Sequence, residues 1–132
     1  MASIRREASV SAPAAKAWAM LRDVANPQRA FAGVLASSML DGDVRDVRFE
    51  NGLEVRERII DVDDSAMRIA YTALGDLFEH HSASMTIIAG GKDRCSFVWI
   101  SDFLPHAMAE TITPLIEAGT AAFVRNASGR KG

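Results

Sequence analysis

Cys95 is the only cysteine among the 132 residues. A lone thiol closes no internal disulfide, so nothing ties the fold to an oxidising compartment. The chain also lacks a basic surplus: 15 Lys and Arg stand against 17 Asp and Glu, for a formal net charge of −2. That argues against general nucleic-acid binding and leaves no polybasic patch for acidic membranes. No apolar run is long enough to span a bilayer. The opening residues Met1 to Glu7 lack the apolar stretch of a signal peptide, and the expected location is cytoplasmic. Phosphate-binding loops, nucleophile elbows and dinucleotide fingerprints are missing, so no cofactor is expected. What is present is an ordinary globular composition, 48% hydrophobic and 24% charged, enough for one domain with a real core. Residues 1–128 are read as that domain and 129–132 as a flexible tail.

The chain alternates between two periodicities. Ser3 to Val10 reads as a strand. Ser11-Ala12-Pro13 then opens a helix, with Ser as cap and Pro in the first turn, and Ala14, Ala17, Trp18 and Leu21 recur on one helical face. Asn26-Pro27 breaks it, and a short second helix fits near Gln28 to Ala32. Strands follow at Val34 to Leu40, Asp46 to Glu50, Leu53 to Val62, Met67 to Ala73, His80 to Ala89 and Arg94 to Ser101. Asn51-Gly52 is a strong hairpin signal, since both residues tolerate positive φ. Sequential strands joined by tight turns pair antiparallel. The last element, from His106 to Ala127, spans ~33 Å at ~1.5 Å per residue. Met108, Ile112, Leu115, Gly119, Ala122 and Phe123 form its inner stripe, and Pro114 interrupts it. The fold class is α+β: a curved seven-stranded antiparallel sheet around one long C-terminal helix, with one or two short helices after the first strand. Gly119 on the inner stripe suits a gap between helix and sheet.

Strand alternation sorts the two sheet faces. Val55, Glu57 and Ile59 share one face, as do Met67, Ile69 and Tyr71, then His81, Ala83 and Met85, then Cys95, Phe97 and Trp99. Glu57, Tyr71 and His81 are thus polar groups on an otherwise apolar face. A buried carboxylate is costly unless paired or hydrogen-bonded.

Several local motifs accompany this layout. They are Val10-Ser11-Ala12-Pro13 with Trp18, the run Phe49 to Arg58, Asp63-Asp64 before Met67 to Tyr71, His80-His81, and Trp99 to Pro105 before the last helix. Together they resemble the START/polyketide cyclase (SRPBCC) superfamily with its helix-grip fold, over nearly the whole chain. The nearest likeness is to small bacterial polyketide cyclase/dehydrase-like proteins. The resemblance implies an internal cavity for a polyketide-, aromatic- or lipid-like molecule.

The candidate ligand-binding residues are Val55, Glu57, Ile69, Tyr71, His81 and Met85, followed by Phe97, Trp99, Met108, Ile112, Leu115 and Gly119. In an apolar cavity the Glu57 pKa rises toward the range of a general base; the simpler alternative is an ion pair with Arg6 or Arg45. Tyr71 or His81 would be the acid partner in an enzyme, while in a plain core the Tyr71 hydroxyl would reach Glu57 or a water. His80 and His81 point to opposite faces and His106 stands alone, so no metal site is expected; a bulge near Glu79 would exchange the two neighbours. Cys95 has no activating neighbour. Three functions remain: a binder of a hydrophobic small molecule, a cofactor-free cyclase, dehydratase or isomerase, and an interaction module with a collapsed core. A homodimer through a sheet edge or helix face is compatible with the layout.

Overall fold

The computed structural model describes residues 2–128; the expected tail at 129–132 lies outside the described residues. Seven strands, β1 (Ser3–Val10), β2 (Leu35–Asp41), β3 (Val44–Phe49), β4 (Glu54–Asp63), β5 (Arg68–Leu74), β6 (His80–Ala89) and β7 (Cys95–Leu104), form one curved sheet. Its order is β1-β7-β6-β5-β4-β3-β2, antiparallel throughout. Short turns connect β2 to β7 in sequence. The crossover from β1 to β2 carries two short helices, α1 (Ala14–Leu21) and α2 (Pro27–Ala30). The chain leaves β7 through a single 3₁₀ turn at His106–Met108 and enters α3 (Ala109–Ala127), which packs against β1, β7 and α2 on the concave side.

Side-chain chemistry explains why the pieces stay where they are. Phe97 and Phe123 stack with ring centroids 4.4 Å apart, pinning α3 to β7, and Phe31 leans on both rings. Burying an aromatic side chain of this kind is worth roughly 1.5–3 kcal/mol. Asn126 Nδ2 donates to the carbonyls of Ala30 and Ala32, so α3 also caps carbonyls at and just beyond the end of α2. Trp18 Nε1 and Arg22 Nε both donate to Asp64 Oδ1, at 2.9 and 2.8 Å, which ties α1 to the β4–β5 turn. Two motifs far apart in sequence thus meet in one hydrogen-bonded knot.

The chain departs from the sequence-based expectations at particular points. β7 runs three residues beyond Ser101, because Ser3 pairs with Asp102 and His80 with Leu104. Ser11 does not cap α1: Pro13 occupies that position without a side-chain cap, and the Ser11 N–H donates to Ser128 Oγ. At the β3–β4 hairpin only Gly52 has positive φ (94°); Asn51 instead accepts the Leu53 N–H through its side chain, giving a longer turn. In β4 the register shifts between Ile59 and Asp61. Ile59 and Val62 then both turn inward while Ile60 is exposed, as a β-bulge produces. On α3 the buried stripe includes Ile116 and Thr120. Met108 falls off it because its turn is 3₁₀, with three residues per turn instead of 3.6.

Gly119 does not face empty space. A Cβ there would sit 2.7 Å from Trp99 Cζ3, so the missing side chain lets the indole lie on the helix backbone. Alanine is favoured over glycine in a helix by up to ~1 kcal/mol, whereas forcing an atom into a packed contact costs about 1–3 kcal/mol. Gly119→Ala is therefore expected to lower stability and to shift tryptophan emission. Urea denaturation followed by fluorescence checks this, and a variant of raised stability would contradict the contact.

Candidate functional site

Antiparallel pairing places the polar residues of the inner face side by side. Arg45 on β3 lies directly opposite Glu57 on β4, and Glu57 opposite Ala73 on β5. Tyr71 is two residues before Ala73, so its ring lies on the same face. Arg45 Nε donates to Glu57 Oε1 at 2.8 Å, and Arg45 Nη1 to the Val24 carbonyl at 3.0 Å. Side-chain exposures are 6% for Arg45 and 12% for Glu57, so this is a buried ion pair. The Arg45 guanidinium carbon also lies 5.8 Å from the centre of the Tyr71 ring, within cation–π range. Of the two ion-pair partners the sequence offered Glu57, Arg45 is the one used; Arg6 reaches Glu117 on α3 instead. Burial pushes the Glu57 carboxyl above its usual range, and the Arg45 charge and hydrogen bond pull it back.

Tyr71 accepts a hydrogen bond from Trp99 Nε1 at 3.1 Å, and among the described residues its hydroxyl donates none to Glu57. Burial and the nearby Glu57 charge push its phenol well up, so it stays protonated. His81 faces inward and His80 is exposed. His81 Nδ1 accepts the Ala73 N–H at 2.9 Å, and Nε2 lies 3.5 Å from Ser101 Oγ. Burial, with a smaller contribution from His80, pushes its pKa down to about 4. Cys95 is buried and its thiol is pushed up by burial, the opposite of an activated nucleophile.

Arg45, Glu57, Tyr71, His81 and Trp99 border a cavity of about 80 Å³ between sheet and α3. Among the expected residues, Val55, Glu57, Tyr71, His81, Met85 and Trp99 line it from the sheet, and Ile112, Leu115 and Gly119 from the helix. Three do not. Ile69 and Phe97 lie in the main core beside it, and Met108 packs toward the second cluster of Ile4, Phe103 and Ile116. Alternation puts a side chain on the correct face but does not say how far along the strand the cavity extends. Residues not among the expected lining also border it: Arg45, Val47 and Phe49 from β3, Phe31 after α2, and Leu77 and Phe78 before β6. Leu77, among these, is 37% exposed. From sequence, Arg45 figures only as a pairing partner for Glu57, because it lies before the expected start of its strand, which begins two residues earlier, at Val44. Among the described residues no group of three or more His, Cys, Asp or Glu side chains is placed to hold a metal, and no helix is long and apolar enough to cross a membrane.

A curved antiparallel sheet closed over one long helix, with a mostly apolar cavity and a few buried polar groups, defines a helix-grip protein. The family described as polyketide cyclase/dehydrase and lipid transport matches residues 1–128, and the chain belongs to that family. Solved structures agree on the fold. A Thermobifida fusca protein is 28% identical, covering 97% of this chain and 91% of its own, with a TM-score of 0.76. The di-domain ARO/CYC BexL is 13% identical, covering 96% of this chain and 46% of its own, at 0.80. Thalictrum flavum norcoclaurine synthase, in complex with dopamine and hydroxybenzaldehyde, is 20% identical, covering 98% and 88%, at 0.73. No curated protein matches the sequence.

Two expectations follow from the site's electrostatics. Removing one partner of a buried ion pair strands the other, at about 3–5 kcal/mol, whereas replacing both with apolar residues is close to neutral. Arg45→Met alone should therefore destabilise strongly, and Arg45→Met with Glu57→Leu should recover most of the loss in urea denaturation. For His81 the folded pKa is depressed, so the unfolded chain binds the extra proton between about pH 6.5 and 4 and stability falls as pH drops through that window. Glu57, raised by burial, acts in the opposite sense above its unfolded value. The stability gap between wild type and His81→Gln should therefore widen from pH 4 to 6.5, and a gap that does not change with pH would remove the assigned shift.

Proposed function

We propose that the protein binds a small aromatic or otherwise hydrophobic molecule in the cavity between sheet and α3, with Glu57, Tyr71 and His81 as polar anchors. The observation that carries this reading is the buried Arg45–Glu57 pair set into an apolar wall. Such a pair costs several kcal/mol of desolvation per ion, and a core that needed only packing would do better without it. At about 80 Å³ the cavity is far below the roughly 300–1,000 Å³ of sites for drug-sized ligands, which favours a small, single-ring molecule over a larger one. Norcoclaurine synthase, with its single-ring ligands, shares the fold, which makes this ligand size reasonable for the scaffold. Larger polyketide- or lipid-like molecules require the cavity to widen.

A cofactor-free cyclase, dehydratase or isomerase is the second reading. It is favoured by the upward push on the Glu57 carboxyl, the property a general base needs near neutral pH, with Tyr71 or His81 as acid partner. Binding is preferred because the carboxylate that would act as base is already committed: Glu57 accepts from Arg45 at 2.8 Å.

Ligand-observed NMR with single-ring phenols and ketones, fatty acids and sterols separates the readings. Binding of the single-ring compounds with spectra unchanged over hours is expected. New product signals that disappear in Glu57→Gln would establish the enzyme instead. Failure of every compound to bind would remove the cavity reading.

A further inference from the structure

The polar groups on the cavity wall differ in whether their protons are free, and this sets the chemistry they accept. β5 and β6 pair from Arg68 opposite Thr86 to Tyr71 opposite Ala83, where the paired register ends. Beyond that point side chains hold the strands together. The Ala73 N–H donates to His81 Nδ1 at 2.9 Å, and Thr72 Oγ1 donates to the His81 carbonyl. A backbone N–H can only donate. His81 Nδ1 is therefore the bare nitrogen, and the single proton of the neutral ring sits on Nε2. Protonating Nδ1 would set two N–H groups against each other. Among the described residues the Nε2 proton finds only Ser101 Oγ, at 3.5 Å, the far limit of a hydrogen bond. Asp102 and His80 are the charged or titratable groups that act on the ring.

Tyr71 is a second donor on the same wall, its ring centre 5.8 Å from that of His81. Its oxygen already accepts from Trp99 Nε1. Its own proton has no acceptor among the hydrogen bonds of the described residues.

We propose that Tyr71 and His81 form a fixed pair of neutral donors, so that the cavity selects an uncharged aromatic ketone or aldehyde, whose carbonyl oxygen accepts from them, over a hydrocarbon of the same shape. This rests on the ligand-binding reading above and names the chemical class of the ligand. The break in the β5–β6 ladder is the device that sets it: a continuous ladder would give the Ala73 N–H to a carbonyl and leave the His81 tautomer unassigned.

Acetophenone and α-methylstyrene test this, because they differ only in C=O against C=CH₂. Acetophenone should bind at least about tenfold more tightly, the effect of leaving buried donors unpaired. In His81→Phe that ratio should shrink, with the fold of the variant checked separately by circular dichroism. Independently of any ligand, ¹⁵N correlation spectra of the wild type at pH 7 should show His81 protonated at Nε2 only. Equal affinities in the wild type, an unchanged ratio in His81→Phe, or a proton on Nδ1 would each overturn the donor pair. If α-methylstyrene binds as well as acetophenone, the cavity reading survives and the donor pair does not; if neither binds, both fall.

Discussion

The inner wall depends on one interaction, the ion pair between Arg45 and Glu57 across β3 and β4. Both groups are taken out of water, at several kcal/mol each, and their mutual attraction offsets that only if the geometry is held. Register holds it, since the two residues are direct cross-strand partners, and the Val24 carbonyl takes a second proton of the guanidinium. The rest of the wall follows from this placement. The Tyr71 ring lies beside the guanidinium, and burial, helped by the Glu57 charge, keeps the phenol protonated. Trp99 then donates to the phenol oxygen and rests against Gly119, which carries the arrangement from sheet to helix.

The cavity lies between two packed apolar clusters. Phe31, Phe97 and Phe123 interlock on one side. Ile4, Phe103 and Ile116 pack on the other, with Ile112 against them. The polar side chains Arg45, Glu57, Tyr71 and His81 gather at the cavity between them, where a ligand could satisfy them. Membership of a family that spans cyclases, dehydrases and lipid transport is consistent with such a scaffold, because changes in a few wall residues alter the chemistry without disturbing the interlocked rings.

The fold was legible because it rests on local signals. Period-two alternation, tight turns and a long three-four stripe fixed the element order, and antiparallel pairing of sequential strands fixed most of the sheet. Legibility failed where a residue's environment depends on elements remote in sequence. The end of β7 depends on β1, the fate of Ser11 on Ser128, and the helix stripe on whether its first turn is 3₁₀ or α. Glu57, Tyr71 and His81 were visible as polar residues on an apolar face. Ile69, Phe97 and Met108 have the same pattern as true lining residues and differ only in their position along the element.

The sequence by itself determined most of the residues that face inward, because side-chain direction follows from strand and helix periodicity wherever no bulge or 3₁₀ turn interrupts it. It determined too that a carboxylate, a phenol and an imidazole would share that face. Only the tertiary structure decided how each was satisfied: Glu57 by Arg45, Tyr71 by Trp99, His81 by the Ala73 N–H at a break in the ladder. Hydrogen-bond partners depend on distances of a few tenths of an ångström between strands, and periodicity carries no information at that scale.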